Sequence, residues 1–85
     1  MGRSYPTLTP AEVCEILREL GFYHPADHRK GSHQKWVNSL TRCSVDVDTH
    51  YDTFTVETIK YMIGQAHVTR EQFYGATKRT AKKIR

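Results

Sequence analysis

The stretch Arg42-Cys43-Ser44-Val45-Asp46-Val47-Asp48 decides the fold, because apolar and polar side chains alternate along it. The side chains of a β-strand point in turn to opposite faces of the sheet. The pattern therefore predicts a strand with one dry face, formed by Cys43, Val45 and Val47, and one wet face. Helices elsewhere in the chain must cover the dry face.

Residues 32–37 are predicted to form the partner strand of a hairpin that turns at residues 38–41. Trp36 is a large aromatic residue between polar neighbours, and we expect it to face the core. Because strand side chains alternate, His33 and Lys35 are then expected on the wet face.

The position of this turn determines which residues of the two strands should lie opposite each other. It pairs Trp36 with Cys43 and His33 with Asp46. A carboxylate beside His33 would favour the protonated imidazole ring and fix its orientation.

A capping box, Thr9-Pro10-Ala11-Glu12, begins the first predicted helix, and Gly21 ends it. The apolar residues that recur at helical spacing between these two points are Val13, Ile16, Leu17 and Leu20. Residues 22–24 can then begin a short first strand before a turn at residues 25–27.

Two further helices are predicted after the hairpin, one beginning near Thr55 and one opening with a second capping box at Thr69. The apolar side chains expected to dock are Val56, Ile59, Met62, Ile63 and Ala66 in the former and Phe73 and Ala76 in the latter. The element order predicts an α+β protein, with helix, three strands and helix followed by an extra C-terminal helix or a basic tail.

The 85 residues of the chain are expected to form one small domain over residues 1–77, followed by a basic tail at residues 78–85. No stretch approaches the roughly 20 apolar residues that span a bilayer. Residues 1–6 also lack the hydrophobic core of a signal peptide. The expectation is a cytoplasmic protein with no membrane partner.

The cysteines and histidines do not predict a disulfide framework or a metal site. Cys14 and Cys43 show no C-x-x-C spacing and are expected to be reduced. His24, His28 and His33 fit no common zinc spacing, so no metal and no cofactor is expected.

The net charge of +4 is concentrated in the tail. Residues 78–85 hold five of the thirteen cations, which leaves eight cations and nine acids in residues 1–77. The body is therefore not basic overall, and any phosphate site in it must be local. The tail is expected to be a solvated extension or a frayed end, with contact to RNA phosphates as the alternative.

The local concentration of cations is the run Arg29-Lys30-Gly31-Ser32-His33-Gln34-Lys35-Trp36. Histidine can take and give protons near neutral pH, and the flanking cations can hold a phosphate. The best candidates for holding phosphate are Lys30 and Lys35, then Arg29, and the backbone amides at Gly31 and Ser32 can assist.

This run lies within a pattern that resembles the HicA toxins of bacterial toxin–antitoxin pairs. The resemblance extends from about Thr9 to Phe73. The residues that carry it are Leu20-Gly21-Phe22, Lys30-Gly31-Ser32-His33, the valine-rich strand, His50, Thr58-Ile59, Gln65-Ala66 and Phe73.

The resemblance implies a double-stranded-RNA-binding-like fold and a metal-independent endoribonuclease that cleaves mRNA. It implies His33 as the catalytic general acid or base and a HicB-like antitoxin as the neutralising partner. His50 and Asp46 are auxiliary candidates, since a second acid or base is needed to complete the reaction.

Two alternatives to the ribonuclease hypothesis stay open. Gln34 stands where the family commonly has a second histidine, and Asp46 and Asp48 make the strand acidic. These departures leave room for a non-catalytic RNA-binding module of the same fold. A domain that only docks another protein through the basic turn is the second alternative.

Overall fold

The computed structural model describes residues 5–25, 29–30 and 33–83, and for Arg29 and Lys30 it describes the backbone alone. The elements in chain order are α1 (Pro10–Glu19), β1 (Arg29–Lys30), β2 (His33–Asn38), β3 (Cys43–Asp48), α2 (Val56–Ala66), α3 (Arg70–Tyr74) and α4 (Lys78–Ala81). The strands form one antiparallel sheet in the order β1-β2-β3. The predicted α+β class is confirmed.

The helix starts lie where the sequence predicts them. The Thr9 hydroxyl accepts from the Glu12 amide and the Glu12 carboxylate accepts from the Thr9 amide, so both halves of the capping box are present. Thr55 caps α2, and Thr69 caps α3 with a second complete box. These bonds satisfy amides that a helix leaves unpaired at its first turn.

The core lies between the helices and the dry face of the sheet, where α1 and α2 both pack on β3. Val45 and Val47 of β3 are fully buried and Trp36 of β2 is 4% exposed, so the predicted orientation of both strands is confirmed. The other core members are Leu8, Val13, Ile16, Leu17, Phe22, Phe54, Ile59, Met62, Ala66, Phe73 and Tyr74.

The predicted hairpin register is wrong by two residues. Trp36 lies opposite Val45, and His33 lies opposite Asp48, not Asp46. The cause is Asn38, which stays in β2 and pairs with Cys43. Its buried side-chain oxygen accepts from the amides of Leu40 and Thr41 and thereby caps the turn one residue later than expected. A shift by an even number of residues keeps every side chain on its predicted face.

The first strand also differs from the prediction. Tyr23 forms only an isolated bridge, exchanging two 2.8 Å hydrogen bonds with Val37, and the strand proper is β1 at Arg29–Lys30. Pro25 interrupts the extended segment, because proline has no amide hydrogen to donate to a ladder.

The basic tail was expected to be a solvated extension or a frayed end, and its residues 78–83 are not frayed. Lys78–Ala81 form α4, and Thr80 is fully buried with its hydroxyl donating to the Tyr74 carbonyl at 2.6 Å. The Lys83 ammonium and the Arg79 guanidinium pair with Glu12 of α1. Hydrogen bonds and ion pairs hold this segment against the rest of the protein. The spacing of apolar residues therefore could not predict that it packs there.

Both cysteines are free thiols, as predicted. None of the helices in the part of the chain that the structure describes is long and apolar enough to cross a membrane.

Candidate functional site

His33 is the first residue of β2, and its side chain is 70% exposed on the wet face of the sheet. In the sheet register it lies between Lys30 of β1 and Asp48 of β3. The imidazole ring therefore lies at the start of a strand and is open to solvent. A group that exchanges protons with a macromolecular substrate needs this accessibility.

Asp48 is the partner of His33 that the sequence did not predict. Its Oδ2 lies 3.6 Å from His33 Nε2, and its Oδ1 accepts from the His50 amide at 2.9 Å. The carboxylate thus faces the ring with one oxygen and holds the following turn with the other. A carboxylate in this position can hold the orientation of the imidazole ring.

Lys35 and Asp46 lie opposite each other on the same wet face, and both are exposed. Asp46 is therefore beside the candidate lysine and not beside His33, which corrects the predicted neighbour. Within residues 5–25, 29–30 and 33–83, no acid lies within ion-pair distance of the Lys35 ammonium. This ammonium is accordingly available to an external anion.

His50 lies in the turn that follows β3, next to the point where Asp48 binds the backbone. Its ring is exposed and contacts Tyr51 edge to face, with the ring centroids 6.0 Å apart. The Asp48 contact therefore places a second exposed imidazole in the turn beside the His33–Asp48 pair.

Of the predicted phosphate-binding residues, Arg29 and Lys30 can be placed by their backbone alone. The backbones of Arg29 and Lys30 pair with Gln34 and His33, which brings this basic segment alongside the start of β2. The side chains of Arg29 and Lys30, and the residues Gly31 and Ser32, lie outside what the structure describes.

The histidines considered as metal ligands do not form a cluster with one another in the described residues. His24 Nδ1 donates to the Lys35 carbonyl at 2.9 Å, and its ring stacks on Trp36, which puts it on the face opposite His33. His28 lies outside the described residues. No group of three or more metal-binding side chains occurs within the residues that the structure describes.

The wet face thus brings together an exposed imidazole, a carboxylate beside it and an ammonium that pairs with no acid among the described residues. This combination can hold a phosphodiester and move protons on it. Comparison with models of known protein families and with curated proteins finds no match for this chain.

Proposed function

We propose that the protein is a metal-independent endoribonuclease of the HicA type, the toxin of a type II toxin–antitoxin pair. The observation that carries the proposal is the pair formed by the exposed His33 and the half-buried Asp48, with Lys35 two residues along the same face of β2. The element order α1-β1-β2-β3-α2 is compatible with a double-stranded-RNA-binding-like fold, which is part of the same proposal.

The proposed reaction is an attack of the RNA 2′-hydroxyl on the adjacent phosphorus. A base removes the hydroxyl proton, the new oxygen–phosphorus bond forms, and the bond to the 5′-oxygen breaks as an acid protonates that oxygen. The products are a 2′,3′-cyclic phosphate and a free 5′-hydroxyl. Cations stabilise the charge that develops on the non-bridging oxygens.

His33 is the proton-transfer group in this scheme, since it is exposed and oriented by Asp48. Lys35 binds the phosphate, assisted by Arg29, Lys30 and the amides of Gly31 and Ser32. His50 is the candidate for the second proton-transfer group, because the Asp48 contact places its turn beside the pair.

The chemistry predicts a product that a metal-dependent nuclease would not give. The purified protein should cleave single-stranded RNA in the presence of EDTA and leave 2′,3′-cyclic phosphate ends, detected by mass spectrometry. An all-2′-deoxy strand of the same sequence should stay intact, because it lacks the attacking hydroxyl. Binding of the RNA at low salt without any cleavage would instead favour the non-catalytic RNA-binding module.

Asp48→Asn should lower the cleavage rate about tenfold, because a neutral amide holds the orientation of the His33 ring less firmly than the carboxylate does. Asparagine keeps an oxygen that can accept from the His50 amide, so the turn is preserved. Asp46→Asn is the matched control and should not lower the rate, since Asp46 lies opposite Lys35. The variants are compared by single-turnover cleavage of one RNA oligonucleotide. Equal rates for the wild type and Asp48→Asn would show that Asp48 has no role in cleavage.

The proposed antitoxin, a HicB-like protein, would act by covering the wet face that carries His33 and Lys35. In cells, expression of the protein should arrest growth, and co-expression of a neighbouring HicB-like reading frame should restore it. Growth arrest that persists when His33 is replaced would separate the toxicity from RNA cleavage.

A further inference from the structure

An open groove of about 500 Å³ lies on the face of β2 opposite His33, between α1 and the sheet. The residues that line it are Cys14 and Arg18 of α1, Phe22, Tyr23 and His24 of the following segment, and Gln34 and Trp36 of β2. Gln34 directly follows His33, so the groove begins one residue along the strand from the proposed catalytic group.

The amide of Gln34 has a fixed orientation in this groove. Its Oε1 accepts from the Trp36 indole at 3.2 Å and from the Cys14 thiol at 3.7 Å. Burial raises the pKa of the Cys14 thiol, with a smaller opposing effect of Arg18, so the sulfur keeps its proton and stays a donor. Since both neighbours donate to the oxygen, the amide NH₂ group is left for a ligand.

Arg18 supplies a second set of donors at the same place. Its guanidinium carbon lies 5.4 Å from the centroid of the Trp36 ring, a cation–π distance. Within the part of the chain that the structure describes, Arg18 forms no ion pair. The groove therefore offers hydrogen-bond donors from two side chains.

Aromatic rings form the rest of the walls. The rings of His24 and Trp36 are nearly parallel, at 26° and 5.7 Å, and Tyr23 is 53% exposed at the rim. A flat ring with acceptors along one edge fits such a site. Guanine carries two neighbouring acceptors, O6 and N7, whereas adenine places a donor beside its N7 and would oppose these groups.

We propose that this groove binds a guanine base of single-stranded RNA, with Gln34 and Arg18 reading O6 and N7. The inference rests on the proposed ribonuclease function and adds a substrate preference to it. The two sites lie on opposite faces of β2, one residue apart at its start. An RNA strand that passes round the start of β2 reaches both, with its scissile phosphate at His33 and a neighbouring guanine in the groove.

Trp36 is the only tryptophan of the chain, so its fluorescence reports on the groove directly. Titration with guanosine monophosphate should change the emission in a saturable way, and the adenosine, cytidine and uridine monophosphates should bind at least tenfold more weakly. Inorganic phosphate is the probe for simple anion binding by Arg18. Equal affinity for all four nucleotides, or an equal response to phosphate alone, would overturn the guanine assignment.

Two variants test the named residues. Gln34→Glu keeps an oxygen for Trp36 and Cys14 but removes the amide donors, and Arg18→Lys keeps the charge but removes the planar fork. Each should weaken guanosine monophosphate binding about tenfold or more. The matched controls are Gln65→Glu on α2 and Arg70→Lys, whose guanidinium also stacks on an aromatic ring, that of Tyr5 at 4.1 Å. Controls that weaken binding as much as the variants would refute the site.

The outcomes separate this inference from the ribonuclease proposal. In the same variants, cleavage of an oligonucleotide with one guanine should slow, while cleavage of a guanine-free strand should not. Cleavage without any guanine preference and without nucleotide binding would refute guanine binding in the groove but not the ribonuclease proposal. Selective guanosine monophosphate binding by a protein that cleaves no RNA would refute the ribonuclease and leave a guanine-binding groove.

Discussion

His33→Ala should abolish RNA cleavage, with a rate loss of about 100-fold to 10,000-fold, the range typical of a removed general acid or base. The side chain is 70% exposed and contacts Asp48 alone in the ion-pair network of the described residues, so its loss leaves the core untouched. The free energy of unfolding should change by less than about 0.5 kcal/mol. Growth arrest on expression should disappear together with the cleavage.

The control for this variant is His67→Asn. His67 is also an exposed histidine, but it ends α2 in the left-handed conformation, at φ 57°, which asparagine tolerates. The control should cleave RNA at the wild-type rate. Thermal unfolding followed by circular dichroism shows whether both variants are folded, and a folded His33→Ala protein that cleaves within threefold of the wild-type rate would exclude His33 as the catalytic group.

The elements of the fold could be predicted well because local chemistry dictates them. The capping boxes at Thr9 and Thr69 and the alternation from Cys43 to Val47 each depend on neighbouring residues only. The face on which His33 lies follows from the same alternation, which is why its exposure on the wet face could be predicted from the sequence.

The register could not be predicted in the same way, since it depends on where the turn begins. Alternation fixes which face a residue takes but does not distinguish registers that differ by two residues. The buried side chain of Asn38, bonded to the turn and to the Leu20 carbonyl, selects one of them. The contact between His33 and Asp48 depends on this choice, and so Asp48 was missed.

The groove could not be predicted because it is assembled from distant parts of the chain, and α4 could not because polar contacts hold it in place. Gln34 stood out in the sequence only as a departure from the HicA pattern, and its role emerges from the contacts with Cys14 and Trp36. Thr80 is buried, and its hydroxyl donates a hydrogen bond to the Tyr74 carbonyl. Apolar periodicity does not predict the burial of a polar residue of this kind.

Glu12→Gln should lower the free energy of unfolding by about 1.5 kcal/mol, because it removes the charge that holds α4 against α1. The Glu12 carboxylate is 2% exposed, and it binds the Lys83 ammonium and lies 3.6 Å from Arg79 Nε. Glutamine can still complete the capping box with Thr9, so the start of α1 is preserved. The figure allows for solvent screening, since Lys83 is 41% exposed. For a domain of this size the melting temperature should fall by roughly 6–12 °C.

The same contact predicts how stability depends on pH. Burial alone would raise the pKa of the Glu12 carboxyl, but the hydrogen bond from Lys83, the bonds from Thr9 and the Lys83 charge together lower it below its ordinary value. A group whose pKa is lower in the folded state binds its proton more readily when unfolded. Its contribution is therefore complete above the ordinary glutamate pKa, about 4.3, and is lost as the pH falls from there through the lowered pKa of the folded state.

Urea unfolding of the wild type and Glu12→Gln at several pH values measures this contribution as a difference. The difference should be largest near pH 7 and should shrink as the pH falls below the ordinary glutamate pKa and the wild-type carboxyl takes up a proton. Glu15→Gln is the control, because Glu15 is 44% exposed and pairs only with Arg79, at 3.4 Å, among the described residues. The free energy of unfolding of Glu15→Gln should be lower than that of the wild type by less than about 0.5 kcal/mol. A difference for Glu12→Gln that stays constant from pH 7 to pH 3 would mean that its charge does not hold α4, and that the effect of the substitution is one of packing alone.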